Sequence, residues 1–179
     1  MSGHLLPRLL ALLEEGEGKP GVILNGGIGV GKTRCAEKLA ADLKTRGISV
    51  GGVIQPRFVQ NDETMGYTVR DLATGGERSF ASLKPPGIAL GKYFVKVEAV
   101  AFARCAIERA VKGARVVFID EVGRLELAGE GHAPAVRAVL TSSVLPVLIV
   151  RTEFVDRVVR AFSVEQFTVM ALEEGASDD

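Results

Sequence analysis

Apolar positions in this chain repeat with two periods, and the alternation between them divides it into helices and strands. Leu5, Leu9, Leu12 and Leu13 share one stripe, which predicts a short amphipathic helix over 3–15, ended by Gly16-Glu17-Gly18-Lys19-Pro20. The unbroken run Gly21-Val22-Ile23-Leu24 predicts a buried strand over 21–25. Ala36, Leu39, Ala40 and Leu43 then mark a helix over 34–46 that stops at Gly47, and a second apolar strand covers 48–54. From 55 to 83 the pattern changes. Short β-like runs at 66–70 and 77–82 are separated by the turn signals Asn61-Asp62 and Thr74-Gly75-Gly76. They predict two or three short antiparallel strands along one sheet edge.

Lys84-Pro85-Pro86-Gly87 reads as a loop, and Gly91-Lys92-Tyr93-Phe94 leads into a helix over 95–112. Arg104, Glu108 and Lys112 recur every four residues there, the mark of a solvated face. Val116-Val117-Phe118-Ile119 gives a buried strand over 115–120, followed by a helix at 133–141 and a strand at 144–150. A helix at 153–161, a strand at 166–170 and an acidic tail at 173–179, expected to be disordered, complete the chain. Strands rich in Val, Ile and Leu that alternate with helices predict an α/β fold. Its sheet is mainly parallel with helices on both faces and a small antiparallel extension. The 179 residues suit a single domain.

Composition narrows the partners. Lys+Arg and Asp+Glu balance at 22 each, so no basic excess points to nucleic acid or an anionic membrane surface. No apolar run reaches the roughly 18–20 residues that span a bilayer. Residues 5–13 lack the basic start and small-residue cleavage site of a signal peptide, so the expected compartment is the cytoplasm. Cys35 and Cys105 stand alone, without disulfide or zinc spacing, and both read as small buried hydrophobes. His4 and His132 read as surface or cap residues, with no metal-ligand pattern around either.

The candidate chemistry starts at Gly26-Gly27-Ile28-Gly29-Val30-Gly31-Lys32-Thr33, a complete G-x-x-x-x-G-K-[ST] phosphate loop between a predicted strand and a helix that opens at Arg34. Glycines let the backbone approach phosphates where a Cβ would clash. The loop N–H groups and the helix N-terminus then cradle the anion. Lys32 supplies a point charge for the β- and γ-phosphates, and Thr33 a hydroxyl for Mg²⁺. This segment implies binding of a nucleoside triphosphate.

A second cluster closes the strand at 115–120. Asp120 is the natural Walker B acid, holding Mg²⁺ through water. Glu121, one residue further, can orient and deprotonate an attacking water, which suits hydrolysis better than transfer to another substrate. Asp120-x-x-Gly123 also fits a GTPase motif, but the chain holds no Asn-Lys-x-Asp for guanine, so strict GTP specificity is not indicated. The phosphate loop, Asp120-Glu121 and Arg151 all fall at strand carboxyl ends, where such folds bind ligands.

Asp120-Glu121-Val122-Gly123-Arg124-Leu125-Glu126-Leu127 resembles the D-E-[IV]-G-[KR]-[ML]-E-L signature of the small cancer-related nucleoside-triphosphatase family. Gly91-Lys92-Tyr93-Phe94-Val95-Lys96-Val97-Glu98 is similar to the G-K-Y segment of that family, and the insert at 55–83 sits where the family has its own. The resemblance covers about 20–170. It implies a RecA-like P-loop NTPase core and slow Mg²⁺-dependent hydrolysis of several NTPs to diphosphate and phosphate. It also implies a strand between the phosphate-loop strand and the Asp120 strand. Assigning 145–150 to that place puts Arg151 or Thr152 near the γ-phosphate, with Arg151 a sensor or a transition-state charge, or else a solvated strand end. Gln55-Pro56-Arg57 departs from the family pattern after the second strand, and the helix at 3–15 is extra to it.

Two other readings compete. One is a small-molecule or nucleotide kinase, with Arg57, Arg70 and Arg78 in a lid. The other is a nucleotide-dependent switch or assembly factor. A homo-oligomer is left open, in which Arg57, Arg124, Arg157 or Arg160 would reach a neighbour's site.

Overall fold

The computed structural model describes residues 4–15 and 21–172. The linker at 16–20 and the acidic tail at 173–179 lie outside the described residues. Among the described residues, one ten-stranded sheet forms the centre. Its parallel half runs β10 (Thr168–Ala171), β1 (Val22–Gly26), β9 (Leu145–Arg151), β8 (Val116–Ile119) and β2 (Val50–Ile54). The strand β9 therefore lies between β1 and β8, the place that the family resemblance implies for 145–150.

Period-two alternation divides the strand side chains between two cores. Val22 and Leu24 of β1, Val116 and Phe118 of β8, and Val147 and Ile149 of β9 face one side. Ile23, Val117, Ile119, Leu148 and Val150 face the other. The first face is covered by α2 (Lys32–Thr45) through Ala36, Leu39, Ala40 and Leu43. The extra N-terminal helix α1 (Leu5–Glu14) adds Leu5, Leu9, Leu12 and Leu13 to that same core, so it thickens one layer of the sandwich. The second face is covered by α3 (Val97–Gly113), α5 (Ala133–Leu140) and α6 (Val155–Phe162).

The antiparallel half is larger than the sequence predicts. β4 (Glu63–Asp71) pairs with β2, β5 (Glu77–Ser82) with β4, and β3 (Arg57–Gln60) with β4 off the main path. A further hairpin, β6 (Ile88–Leu90) and β7 (Tyr93–Val95), extends the edge through β7 on β5. Each strand of that hairpin has three residues, too few to show alternation, and Pro85-Pro86 just ahead reads as loop.

Two side chains differ from expectation. Cys105 is exposed, not buried, because α3 buries the stripe Ala99, Ala103, Ala106, Ile107 and Ala110 and Cys105 falls off it. Cys35 is partly buried. His132 precedes α5 at the cap position yet is buried, with its ring 5.6 Å from that of Phe80.

Candidate functional site

Register brings the predicted residues together. Gly26, the last residue of β1, pairs with Arg151 at the end of β9, and Val53 of β2 pairs with Ile119 at the end of β8. Parallel strands that end in step deliver their following residues to one edge of the sheet. The phosphate loop, Asp120, Glu121 and Arg151 all meet there.

The loop turns through Gly29 (φ 87°) and Gly31 (φ 84°), left-handed conformations that glycine adopts without Cβ strain. Gly31 is also the residue from which α2 starts. Lys32 is buried, and its Nζ donates to the carbonyls of Gly26 at 3.0 Å and Gly27 at 2.6 Å. Burial lowers its pKa, while the negative charge of Glu121 acts against that shift. Val30 is partly buried, and Ile28, at the loop tip, is exposed. Arg34 is exposed in the first turn of α2.

Asp120 is fully enclosed. Its Oδ2 accepts from Thr33 Oγ1 at 2.8 Å and from the backbone N–H of Gln55 at 2.9 Å, and its Oδ1 accepts from Glu121 N–H at 2.9 Å. Burial, and next the charge of Glu121, push its carboxyl up to about 6 in spite of those donors. Thr33 and Asp120 are thus two hard oxygen donors in hydrogen-bond contact. That set fits Mg²⁺, which takes few protein ligands and completes its shell with water and phosphate oxygens.

Glu121 adopts φ 56°, a left-handed conformation uncommon for a residue with a Cβ. Bonds on both sides hold it there: its own N–H to Asp120 Oδ1, and Val122 N–H to the carbonyl of Ile149 at 3.0 Å. Backbone strain held by its surroundings is concentrated at functional sites. The carboxylate meets Arg151, whose Nε and Nη2 both lie 3.2 Å from Oε2. Thr152, the alternative to Arg151, is exposed in the 3₁₀ turn Thr152–Phe154.

Three residues of the site were not singled out from sequence. Glu126, in the short helix α4 (Arg124–Leu127), is buried, and burial raises its pKa. Its Oε2 accepts from Gly123 N–H at 2.9 Å and its Oε1 from His132 N–H at 3.0 Å. It therefore ties the segment after Glu121 to the start of α5. Gln55 Nε2 lies 3.0 Å from His132 Nε2, and His132 Nδ1 is buried without a partner among the described residues. Burial pushes His132 down to about 4, so the ring is neutral near pH 7. Glu126 sits in the octet Asp120–Leu127, where its buried neighbours Leu125 and Val122 are the readable signal. Arg57 on β3 and Glu98 in the first turn of α3 are both exposed and outside this cluster.

Replacing Glu126 by Gln leaves one of those two backbone donors facing an amide N–H₂. We expect a loss of about 1–3 kcal/mol in urea unfolding. An unchanged midpoint would show that the carboxylate does not hold this segment.

A family model described as "NTPase" matches residues 21–177. The nucleoside-triphosphatase THEP1 of Thermofilum pendens is 42% identical over 122 residues, covering 67% of this chain and 67% of that protein. The THEP1 of Thermococcus kodakarensis is 35% identical over 141 residues, covering 76% and 78%. The fold matches the crystal structure of THEP1 from Aquifex aeolicus with TM-score 0.69 at 23% identity, over 86% of this chain and 90% of that one. It matches the solution structure of a human cancer-related nucleoside triphosphatase with TM-score 0.66 at 24% identity, over 86% and 87%. The phosphate loop, the Asp120–Thr33 pair and the strand order lie within the matched span, and the chain belongs to this NTPase family.

Proposed function

We propose that this chain hydrolyses nucleoside 5′-triphosphates to the diphosphate and inorganic phosphate, with Mg²⁺ and without strict choice of base. The observation that carries the reading is the placement of Glu121. Its carboxylate stands one residue past the Asp120–Thr33 pair, is held by Arg151, and has Oε1 free of any hydrogen bond among the described residues. The names of the relatives support the same activity.

Glu121 takes a proton from water as the water oxygen bonds to the γ-phosphorus. The bond from that phosphorus to the β,γ-bridging oxygen breaks, and its electron pair leaves with the diphosphate. Lys32 exchanges the carbonyls of Gly26 and Gly27 for β- and γ-phosphate oxygens, and the N–H groups of residues 27–33 bind the rest of the chain of phosphates. Arg151, already beside Glu121, places its charge against the γ-phosphate as negative charge develops. Thr33 and Asp120 would hold Mg²⁺, which would neutralise charge on the phosphates. Base tolerance follows from a loop that reads phosphates alone and from the missing Asn-Lys-x-Asp. We assign the activity to the cytoplasm. Among the described residues no helix is long and apolar enough to cross a membrane.

Phosphate release from ATP, GTP, CTP and UTP tests this directly. All four should be hydrolysed at rates within about tenfold of one another, since discrimination by contacts to phosphate alone is small. Excess EDTA should stop each. Binding of all four without phosphate release in MgCl₂ would end the hydrolase reading.

A further inference from the structure

Next to Glu121 the structure opens a cavity of about 300 Å³. One water has a share of about 30 Å³ in the liquid, so an attacking water and the γ-phosphate beside Arg151 leave most of this space without a use. The walls are aromatic and aliphatic: Tyr67, Phe80, Leu90, Tyr93, Val95 and Phe154. Tyr67 and Tyr93 meet edge to face with ring centres 5.3 Å apart. These walls come mostly from β4, β5, β6 and β7, the antiparallel half of the sheet, so that half builds a chamber against the catalytic edge.

The position separates the chamber from the nucleotide. From the phosphate loop only Ile28 lines it, and nothing from Gly29 to Cys35 does. Loop N–H groups and the helix N-terminus hold the α- and β-phosphates, with the γ-phosphate on the lysine side. A chamber that includes Glu121 and Arg151 but none of the first turn of α2 therefore lies beyond the γ-phosphate, away from ribose and base.

Charge describes the occupant. Lys92 and Arg124 line it, are exposed to solvent, and neither forms an ion pair among the described residues. Each instead lies over a wall ring, Lys92 5.3 Å from the centre of Tyr93 and Arg124 5.9 Å from that of Phe154. The two carboxylates of the lining are already engaged, Glu121 by Arg151 and Glu126 by two backbone N–H groups. Aromatic walls accept a flat ring by stacking and edge contacts. Two exposed cations of the lining without anions accept a negative group.

We propose that this chamber binds a second small molecule, a flat aromatic anion, together with the nucleoside triphosphate, and that its occupant keeps water from Glu121 and halts hydrolysis. The effect on turnover rests on the hydrolase reading above; the binding does not.

The probe is 1-anilinonaphthalene-8-sulfonate, titrated by fluorescence into the full chain with and without a saturating β,γ-imido ATP analogue and MgCl₂. Saturable binding should persist with the analogue present. Leu90→Trp, which fills a partly exposed wall position, and Lys92→Glu, which reverses a surface charge without touching the core, should each weaken it about tenfold or more, equivalent to about 1.4 kcal/mol. In phosphate-release assays the dye should lower kcat and leave KM for ATP unchanged. Displacement of the dye by the analogue would make the chamber part of the nucleotide site and overturn the proposal. Equal binding to wild type and both variants, or no saturable binding, would overturn it as well. If the wild type released no phosphate, the fluorescence arm would still decide whether the chamber binds.

Discussion

Glu121→Gln should bind Mg²⁺-nucleotide as the wild type does and release phosphate about 10²–10⁴-fold more slowly, the usual range for loss of a positioned general base. Gln keeps the size of the side chain, its backbone N–H can still reach Asp120 Oδ1, and an amide oxygen can still accept from Arg151. What it loses is proton affinity at the atom beside the attacking water. In the proposed mechanism the loop and Lys32 bind the nucleotide and Glu121 does not, so the loss should fall on kcat with KM nearly constant. A variant that retains more than about a tenth of wild-type turnover would remove Glu121 as the base, since orientation alone accounts for so little. A variant that fails to bind nucleotide would show instead that Glu121 supports the loop.

The parts of this site that could be read from the sequence are those fixed by contiguous residues. The phosphate loop and Asp120-Glu121 carry their chemistry in adjacent positions, and each lies directly after an apolar run that can only be a buried strand. Arg151 needed the strand order as well, and that came from the resemblance; the Gly26–Arg151 register agrees with it. Glu126, Gln55 and His132 could not be reached this way. Gln55 and His132 act through contacts across 65 and 77 positions, Gln55 with Asp120 and Gln55 with His132, which no local pattern encodes, whereas Glu126 binds backbone only 3 and 6 positions away and is hidden by its polarity, which reads as surface. His132 sits in the glycine-rich turn Gly129-Glu130-Gly131, whose polarity says surface, and only the arrival of Phe80 and Gln55 buries it. Cys105 is the reverse case. The helical period of α3 already places it off the apolar stripe, so period should outweigh residue type for a small side chain.

In EDTA, the stability of the wild type should change by less than about 1 kcal/mol between pH 7 and pH 5, because two buried groups of the site oppose each other. Asp120 titrates at about 6 in the fold against an ordinary 3.8, so the folded state holds the proton more tightly and acid stabilises it through that window. From pH 6 to pH 5 the gain is about 1 kcal/mol. His132 titrates at about 4 against an ordinary 6.5, so the unfolded state takes up the proton first and acid destabilises the fold. From pH 6.5 to pH 5 the loss is about 2 kcal/mol. Glu126, raised by burial, adds to the Asp120 side. His132→Phe keeps a ring against Phe80 and deletes the second contribution. It also removes the partner of Gln55 Nε2, a constant cost that leaves the slope alone. The variant should therefore become more stable by at least about 1 kcal/mol on acidification from pH 7 to pH 5, as measured by urea unfolding. A variant that loses stability over this range would show that Asp120 is ionised well below pH 6 without metal. The same imbalance bears on Mg²⁺. At pH 7 the fold carries the cost of an ionised, enclosed Asp120 carboxylate, and a cation there offsets it. Stabilisation by MgCl₂ should accordingly be present at pH 7 and fade as the pH falls below about 6, as the proton takes the metal's place.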